Sequence, residues 1–203
     1  PIDPVRFMSN YSSGKMGYAI AMAAKAKGAS VELISGPVML NPISDIRTTY
    51  VETSSEMYES VKEKVSDFDI FISTAAIADY KPANYSDIKY KKNKNNITIE
   101  FTRGIDILET ISKNHKNLFT VGFAAETNSL KENSEQKLAK KNLDIIVGNI
   151  ANHELKLGFE SDYNEVIMLS NTNSKKINHD KKSNIANKIL DFIAIEYSNK
   201  LQL

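Results

Sequence analysis

Cysteine is absent from this chain of 203 residues. That absence excludes a disulfide framework, a thiolate nucleophile and a thiolate metal centre, and it fits a reducing cytoplasm. Histidine is scarce. His115, His153 and His179 stand far apart in polar, loop-like settings without metal-ligand spacing, and they are assigned no role. No apolar run approaches the roughly 18 residues of a membrane span, and no signal peptide is visible. A charge excess of either sign is also lacking. With 26 Lys and Arg against 25 Asp and Glu, no global field would draw nucleic acid or an anionic membrane, so any attraction for phosphate is local. The chain opens on Pro1-Ile2-Asp3-Pro4 without an initiator methionine. It reads as an excised domain, because a doubly wound sheet wants a strand before its first phosphate-binding turn. The length suits one well-packed domain over 1–203 and is short for two.

What the chain does have is a dense turn, Ser9-Asn10-Tyr11-Ser12-Ser13-Gly14-Lys15-Met16-Gly17. An apolar helix pattern follows at Tyr18, Ile20, Met22, Ala23 and Ala26, and Gly28 stops it. A helix N-terminus carries free N–H groups and a partial positive charge, so such a turn is a ready anion site. Ser12 and Ser13 can cap or donate, Gly14 lets backbone approach a phosphate, and Lys15 adds charge. The turn resembles a Walker loop without being one. That pattern needs Gly five residues before Gly14 and Ser or Thr after Lys15, where Ser9 and Met16 stand. Taken alone, the same residues also fit an ordinary capped helix.

Strands and helices alternate along the rest. Helix 14–27 leads to an apolar run at 30–35, a short strand near 49–53, and a helix to about 64 that opens on the capping-box spacing Thr53-Ser54-Ser55-Glu56. Asp69-Ile70-Phe71-Ile72-Ser73-Thr74 reads as a buried parallel strand, continuous rather than alternating in apolar character. A strand over 96–102, a helix over 106–114, a strand over 118–123, a helix over 129–141 and a buried strand over 143–148 follow. Residues 165–170 and 175–177 suggest a hairpin before a last helix over 183–198. The pattern predicts a Rossmann-like α/β fold, a mostly parallel sheet with helices on both faces and a C-terminal hairpin.

Residues 81–96 break this rhythm. They are polar and carry Lys81, Lys89, Lys91, Lys92 and Lys94. A solvated loop accounts for such a run, but it directly follows the carboxyl end of strand 69–74, where open α/β sheets bind ligands. A cationic flap that orders over a triphosphate is the sharper expectation. At the strand end, Ser73, Thr74, Ala75 and Ala76 offer small side chains against which a ligand can meet backbone N–H groups. Asp79 is placed to meet a ribose, a base or a magnesium ion, or simply to cap a turn.

The run Asp3-Pro4-Val5-Arg6-Phe7-Met8-Ser9-Asn10, continuing through Gly17, resembles the signature of phosphopantothenoylcysteine synthetase. That domain is usually the C-terminal half of a bifunctional bacterial coenzyme A biosynthesis protein. Three further segments fit the same family in order: Ala75-Ala76-Ile77-Ala78-Asp79-Tyr80, Lys89-Tyr90-Lys91-Lys92, and Val121-Gly122-Phe123-Ala124-Ala125-Glu126-Thr127. The resemblance makes Ala75, Ala76 and Asp79 nucleotide contacts and Lys89 the lysine of nucleotide activation. It assigns Asn10 to holding the acyl-cytidylate, with Arg6 supporting the same loop. It adds Ile105-Asp106-Ile107-Leu108, Phe123, Lys137 and Lys141 as nucleotide contacts, although Gly104 and Ile105 depart from the common Asn and Pro. Asp106 also serves any helix as an N-terminal acid, Phe123 also suits a core, and lysines four apart on a helix are ordinarily solvated.

The activity implied is a ligase. The carboxylate of phosphopantothenate attacks the α-phosphorus of magnesium CTP, and the cysteine amine then displaces CMP from the acyl-cytidylate. Magnesium is expected mainly on the triphosphate, and a homodimer fused to a decarboxylase domain is the family pattern. CTP rather than ATP follows from the resemblance, and no residue separates the two bases. The turn 12–15 is left open between triphosphate and substrate phosphate. Two other classes share some features. A Rossmann-type NAD(P) oxidoreductase needs a G-x-G-x-x-G turn that this chain does not contain. A nucleic-acid module using lysines 89–94 would show a steep salt dependence. The spacings Tyr58-x-x-x-Lys62 and Tyr85-x-x-x-Lys89 match short-chain dehydrogenases only by accident, one on an amphipathic helix and one in a loop.

Overall fold

A computed structural model describes residues 1–91, 96–150 and 161–202. Its first half contains α1 (Lys15–Ala26), β1 (Glu32–Ser35), β2 (Arg47–Tyr50), α2 (Ser54–Lys64), β3 (Ile70–Ser73) and β4 (Tyr80–Pro82). The second half contains β5 (Phe101–Arg103), α3 (Ile107–Asn114), β6 (Phe119–Glu126), α4 (Leu130–Lys140) and β7 (Ile145–Ile150), then β8 (Tyr163–Ser170), β9 (Ser174–Lys181) and α5 (Lys182–Leu201). The central sheet has the order β3-β6-β7-β8-β9. β3, β6 and β7 run parallel, and the β8–β9 hairpin completes the sheet antiparallel. The fold is therefore α/β with a mixed sheet, broadly Rossmann-like.

Both faces of the sheet are buried, which explains the unbroken apolar runs. Val121, Ile145, Val147, Val166 and Met168 pack with Ile20 of α1 and Ile185 and Ile189 of α5. Ala124, Ile146 and Leu169 on the other face pack with Leu108 of α3 and Leu138 of α4. The capping box forms as its spacing predicts. The Glu56 amide donates to Thr53 Oγ1 at 3.1 Å, and the Thr53 amide donates back to Glu56 Oε2 at 3.3 Å.

Several boundaries differ from the sequence reading, each for a local reason. β6 continues past Phe123 to Glu126, because Ala124, Ala125 and Glu126 stay in register with Gly148, Asn149 and Ile150 of β7. The second strand lies at Arg47–Tyr50, ahead of 49–53, since the Glu52 and Thr53 amides are taken by Glu56 at the start of α2. β5 is confined to Phe101–Arg103 and pairs antiparallel with β4, so a short two-stranded arm forms where the lysine-rich section begins, at Lys81 and Pro82. β9 runs on to Lys181 and passes directly into α5.

β1 and β2 form a separate parallel pair. Between β1 and β3 lies an apolar slot of about 270 Å³. Consecutive residues line it from each strand, Glu32, Leu33 and Ile34 on one side and Ile70, Phe71 and Ile72 on the other. Side chains alternate across a strand, so a cavity that meets consecutive residues runs along strand edges. This is the position expected for a strand ahead of α1. An amino-terminal extension that supplies an apolar strand should raise the midpoint of thermal unfolding by at least about 5 °C, because a few buried apolar side chains stabilise by several kcal/mol. It should also slow hydrogen exchange in β1 and β3. An unchanged midpoint and unchanged exchange would show that the slot does not seat a strand.

Candidate functional site

Parallel strands feeding helices on both faces bring their carboxyl ends to one edge, and the antiparallel hairpin adds the start of β8 and the end of β9 there. A cleft of about 500 Å³ opens along this edge. All the sequence-predicted site residues line it except two: Arg6 and Lys89 are not on its wall.

The turn ahead of α1 forms the cleft's floor. Gly14 is the helix N-cap at φ 75°, in the left-handed region that glycine tolerates, and a Cβ there would meet Val38 Cγ1 at 2.7 Å. Gly14, and neither Ser12 nor Ser13, is the N-cap of α1. The Ser12 amide instead donates to Asn10 Oδ1 at 2.9 Å, while Asn10 Nδ2 donates to the Ala76 carbonyl. Asn10 thus ties the turn to the end of β3. An Asn amide nitrogen carries two protons, so one donor remains for a ligand. Gly17 presses the same way, since a Cβ there would meet Thr74 Oγ1 at 2.6 Å.

On the α3/α4 side, Asp106 is the N-cap of α3 and accepts from the Glu109 amide at 3.0 Å. Its carboxylate also meets Lys141 Nζ at 2.8 Å. Burial works to raise its pKa, yet the Lys141 ammonium, the Glu109 amide and nearby Arg103 together hold it below the usual carboxylate value. Lys137 Nζ donates to Glu126 Oε1 at 2.6 Å. The arm closes this side, with the Gly104 amide donating to the Asp79 carbonyl at 2.8 Å. Phe123 and Ile105 complete this part of the wall, Ile105 being exposed.

On the α1/α5 side stand residues that sequence reasoning missed. Lys182, the first residue of α5, is only 5% exposed. Burial, then the neighbouring Lys15 charge, pulls its pKa down to about 8. Asp162 accepts from Lys15 Nζ at 2.7 Å, and its carbonyl accepts from the Lys182 amide at 2.8 Å. The Asp162 carboxyl is held below its usual value by Lys15 first and by Lys182 in addition. Asn149 and Asn164 are buried beside them in the same wall. One signal was available. α1 and α5 both begin with lysine and carry no acid in their first turns, against the preference of the helix dipole.

Arg6 and Lys89 belong to a different assembly. Asp3 is buried and accepts from Arg6 Nε at 2.9 Å and from the Tyr90 amide at 3.2 Å. Arg6 Nη2 reaches the Tyr90 carbonyl at 3.1 Å. The Arg6 guanidinium holds the Asp3 carboxyl far below the usual carboxylate range, with the amides of Val5, Tyr90 and Arg6 acting against the cost of burial. Arg6 is therefore an anchor for the Lys89 segment, and Lys89 itself is exposed on the arm. Lys92 and Lys94 lie outside the described residues, as does His153. Among the described residues, no three acidic or histidine side chains converge as a metal cage. No helix among the described residues is long and apolar enough to cross a membrane.

Comparison with known proteins follows this geometry. The family model of the DNA/pantothenate metabolism flavoprotein C-terminal domain matches residues 1–196. The coenzyme A biosynthesis bifunctional protein CoaBC of Escherichia coli K12 is 39% identical over 205 residues, covering 98% of this chain and 50% of that protein. The protein of the same name from Vibrio vulnificus CMCP6 is 42% identical over 192 residues, 93% of this chain and 48% of its own length. The chain thus spans about half the length of the curated relatives it matches. Among solved structures, the C-terminal domain of a CoaBC superposes with a TM-score of 0.80 at 36% identity, covering 98% of this chain and 89% of that one. A DNA/pantothenate metabolism flavoprotein from Streptococcus pneumoniae gives the same TM-score at 18% identity, which speaks for the fold alone.

The Asp3 anchor generates a direct expectation. Its carboxyl is depressed in the folded state, so its contribution is complete above the ordinary carboxylate value of about 3.9 and is lost only as pH falls further, through its own lower value. At pH 8 the anchor is fully charged. Asp3→Asn should therefore speed tryptic cleavage after Lys89 severalfold at that pH. Equal cleavage rates would show that Asp3 does not hold the segment.

Proposed function

The chain belongs to the family of the DNA/pantothenate metabolism flavoprotein C-terminal domain, and from that membership we propose that it is a phosphopantothenate–cysteine ligase of coenzyme A biosynthesis that uses CTP. The observation that carries the reading is convergence. The turn 10–15, the strand end 73–79, the helix start 105–108 and Phe123, Lys137 and Lys141 are remote in sequence and share one cleft. The relatives are named for coenzyme A biosynthesis, and nothing in the cleft favours an oxidoreductase or a nucleic-acid module.

A carboxylate is a poor electrophile, so it is first joined to a nucleotide. The carboxylate oxygen of phosphopantothenate bonds to the α-phosphorus of CTP as the bond to pyrophosphate breaks. The cysteine amine then attacks the acyl carbon, its proton is lost, and CMP departs. Neither step needs a covalent enzyme intermediate, so the chain's contribution is position and charge. The nucleoside lies on the α3/α4 side, where Lys141, Asp106 and the Phe123 ring offer charge, an acceptor and an apolar wall. Asn10 sits at the junction and donates its remaining amide proton to the acyl oxygen. A neutral donor suits a group that begins as a carboxylate and becomes a neutral anhydride. Lys89 supplies charge to the departing pyrophosphate, and its place on the exposed arm requires the arm to swing inward. Magnesium on the triphosphate adds further positive charge there.

The same reading implies a homodimer, a decarboxylase domain elsewhere in the full protein, and a cytoplasmic setting where CTP and cysteine are available. Pyrophosphate release from CTP and from ATP, with phosphopantothenate, cysteine and magnesium, tests it. Release with CTP should fall by about 10²-fold or more in Lys89→Gln, the usual loss when one charge-stabilising group is removed. Asn10→Asp should still release pyrophosphate while acyl-cytidylate accumulates. Silence of the intact, folded protein with both nucleotides would overturn the assignment.

A further inference from the structure

We infer that Glu126 is a positioning residue for the nucleotide step: from outside the cleft wall it fixes Lys137 over the cleft and so sets the affinity for CTP without touching it. The inference rests on the ligase reading and adds to it a support for the α3/α4 side. β6 carries that support. Its last three residues outrun Phe123 because they stay in register with Gly148, Asn149 and Ile150 of β7. Side chains alternate along a strand. Phe123 and Ala125 line the cleft, whereas Ala124 packs with Leu138 of α4, and Glu126 follows Ala124 on that face. The overrun thus brings a carboxylate against α4 that is not itself on the cleft wall.

Both oxygens of this carboxylate are engaged. Glu126 Oε2 accepts from Asn133 Nδ2 at 3.1 Å, and Oε1 accepts from Lys137 Nζ at 2.6 Å. Asn133 and Lys137 are four apart and share one helix face. An Asn amide nitrogen carries two protons, and Asn133 Nδ2 also donates to the Asn128 carbonyl at 3.1 Å. The acid is therefore oriented by a group that is tied in turn to the connection between β6 and α4. The helix backbone is seated as well. Ser134 is fully buried and faces Gly148, where a Cβ would meet its Oγ at 2.5 Å, and Leu138 packs in the same layer. What freedom remains lies in the flexible stem of Lys137, and Glu126 removes it.

Exposure decides the sign of the effect. The Glu126 side chain is 12% exposed and that of Lys137 is 43% exposed. A ligand in the cleft reaches Lys137 from its open side, with the carboxylate behind it. An ammonium has three donors, so one stays with Glu126 and two remain for the ligand. A lysine already pinned gives up little rotamer freedom when the nucleotide arrives, whereas a free one gives up most of it. The charge that Glu126 offsets weighs less, because a pair at a partly open surface is screened by solvent. Asp106 differs, since it lines the cleft itself beside Lys141.

Calorimetric titration of the intact protein with CTP and magnesium, and separately with phosphopantothenate, reads the effect. Glu126→Gln keeps the shape of the side chain and removes its charge. It should weaken CTP about fivefold to tenfold, the order expected when one long side chain must be immobilised on binding, and leave phosphopantothenate within twofold. Glu126→Asp keeps the charge and should recover part of the loss. Lys137→Met should weaken CTP at least as much as Glu126→Gln, and combining the two should cost nothing further. A role confined to stability would weaken both ligands alike and add to the Lys137→Met loss, and that result would overturn the inference. So would unchanged or tighter CTP binding in Glu126→Gln. A native protein that binds no CTP overturns the ligase reading and this inference together. One that binds CTP no better than its variants do overturns this inference alone.

Discussion

Val121, Ile145 and Val147 face α1 and α5, while Ala124 and Ile146 face α3 and α4, so the middle of the sheet has no solvated side. Burial on both faces requires a helix layer above and another below, and it keeps β3, β6 and β7 parallel because each returns through a crossover. Every parallel strand then ends at the same edge. The cleft arises from this constraint: helix starts from both layers meet at one line of strand ends, each bringing N–H groups and a partial positive charge. The antiparallel hairpin does not disturb the arrangement. β9 runs parallel to β7 through two reversals, so its end delivers Lys182 to the same edge.

The charges of the cleft are held in mutual pairs. Lys15 meets Asp162, Lys137 meets Glu126 and Lys141 meets Asp106. Such pairs on a partly open surface contribute little to folding, so stability is a weak reason for their presence. Their effect is to hold cations ready on a chain whose net charge is only +1. Asp106 differs from the other two acids because it also caps α3, which binds it to the helix and makes it a fixed partner. Asp162 meets the Lys15 ammonium with a side chain that is largely exposed.

The elements that were readable in the sequence are those in which one local rule acts alone. The capping box at Thr53, the acid cap at Asp106 and the continuous apolar strands at 70–73 and 145–147 are set by residues within a few positions of one another. Convergence of remote motifs was legible only through the family resemblance, since spacing along the chain does not give proximity in space. Asn149, Asn164 and Asp162 escaped notice because their places depend on the register of β7 against β8 and of β8 against β9. Arg6 was placed in the site by its nearness to Asn10 in sequence. Its guanidinium instead pairs with Asp3 and Tyr90, a contact across 84 positions that no periodicity reveals.

The apolar slot and the polar cleft are not independent. Gly17, Ser73, Thr74 and Ala75 border both, and the close approach of Gly17 to Thr74 is the seam between them. A strand seated between β1 and β3 would run parallel to each and end at the same edge as its neighbours. Its last residues would therefore enter the cleft beside the turn that Asn10 ties to Ala76. Filling the slot would also brace the α1 start against the end of β3, which the Asn10 amide already ties together. Lys15 and Lys182 on the α1/α5 side and Lys137 and Lys141 on the α3/α4 side line the one cleft that this seam borders. A chain with the slot filled should hold the two sides of the cleft at a set separation, as the proposed reaction between two bound substrates demands.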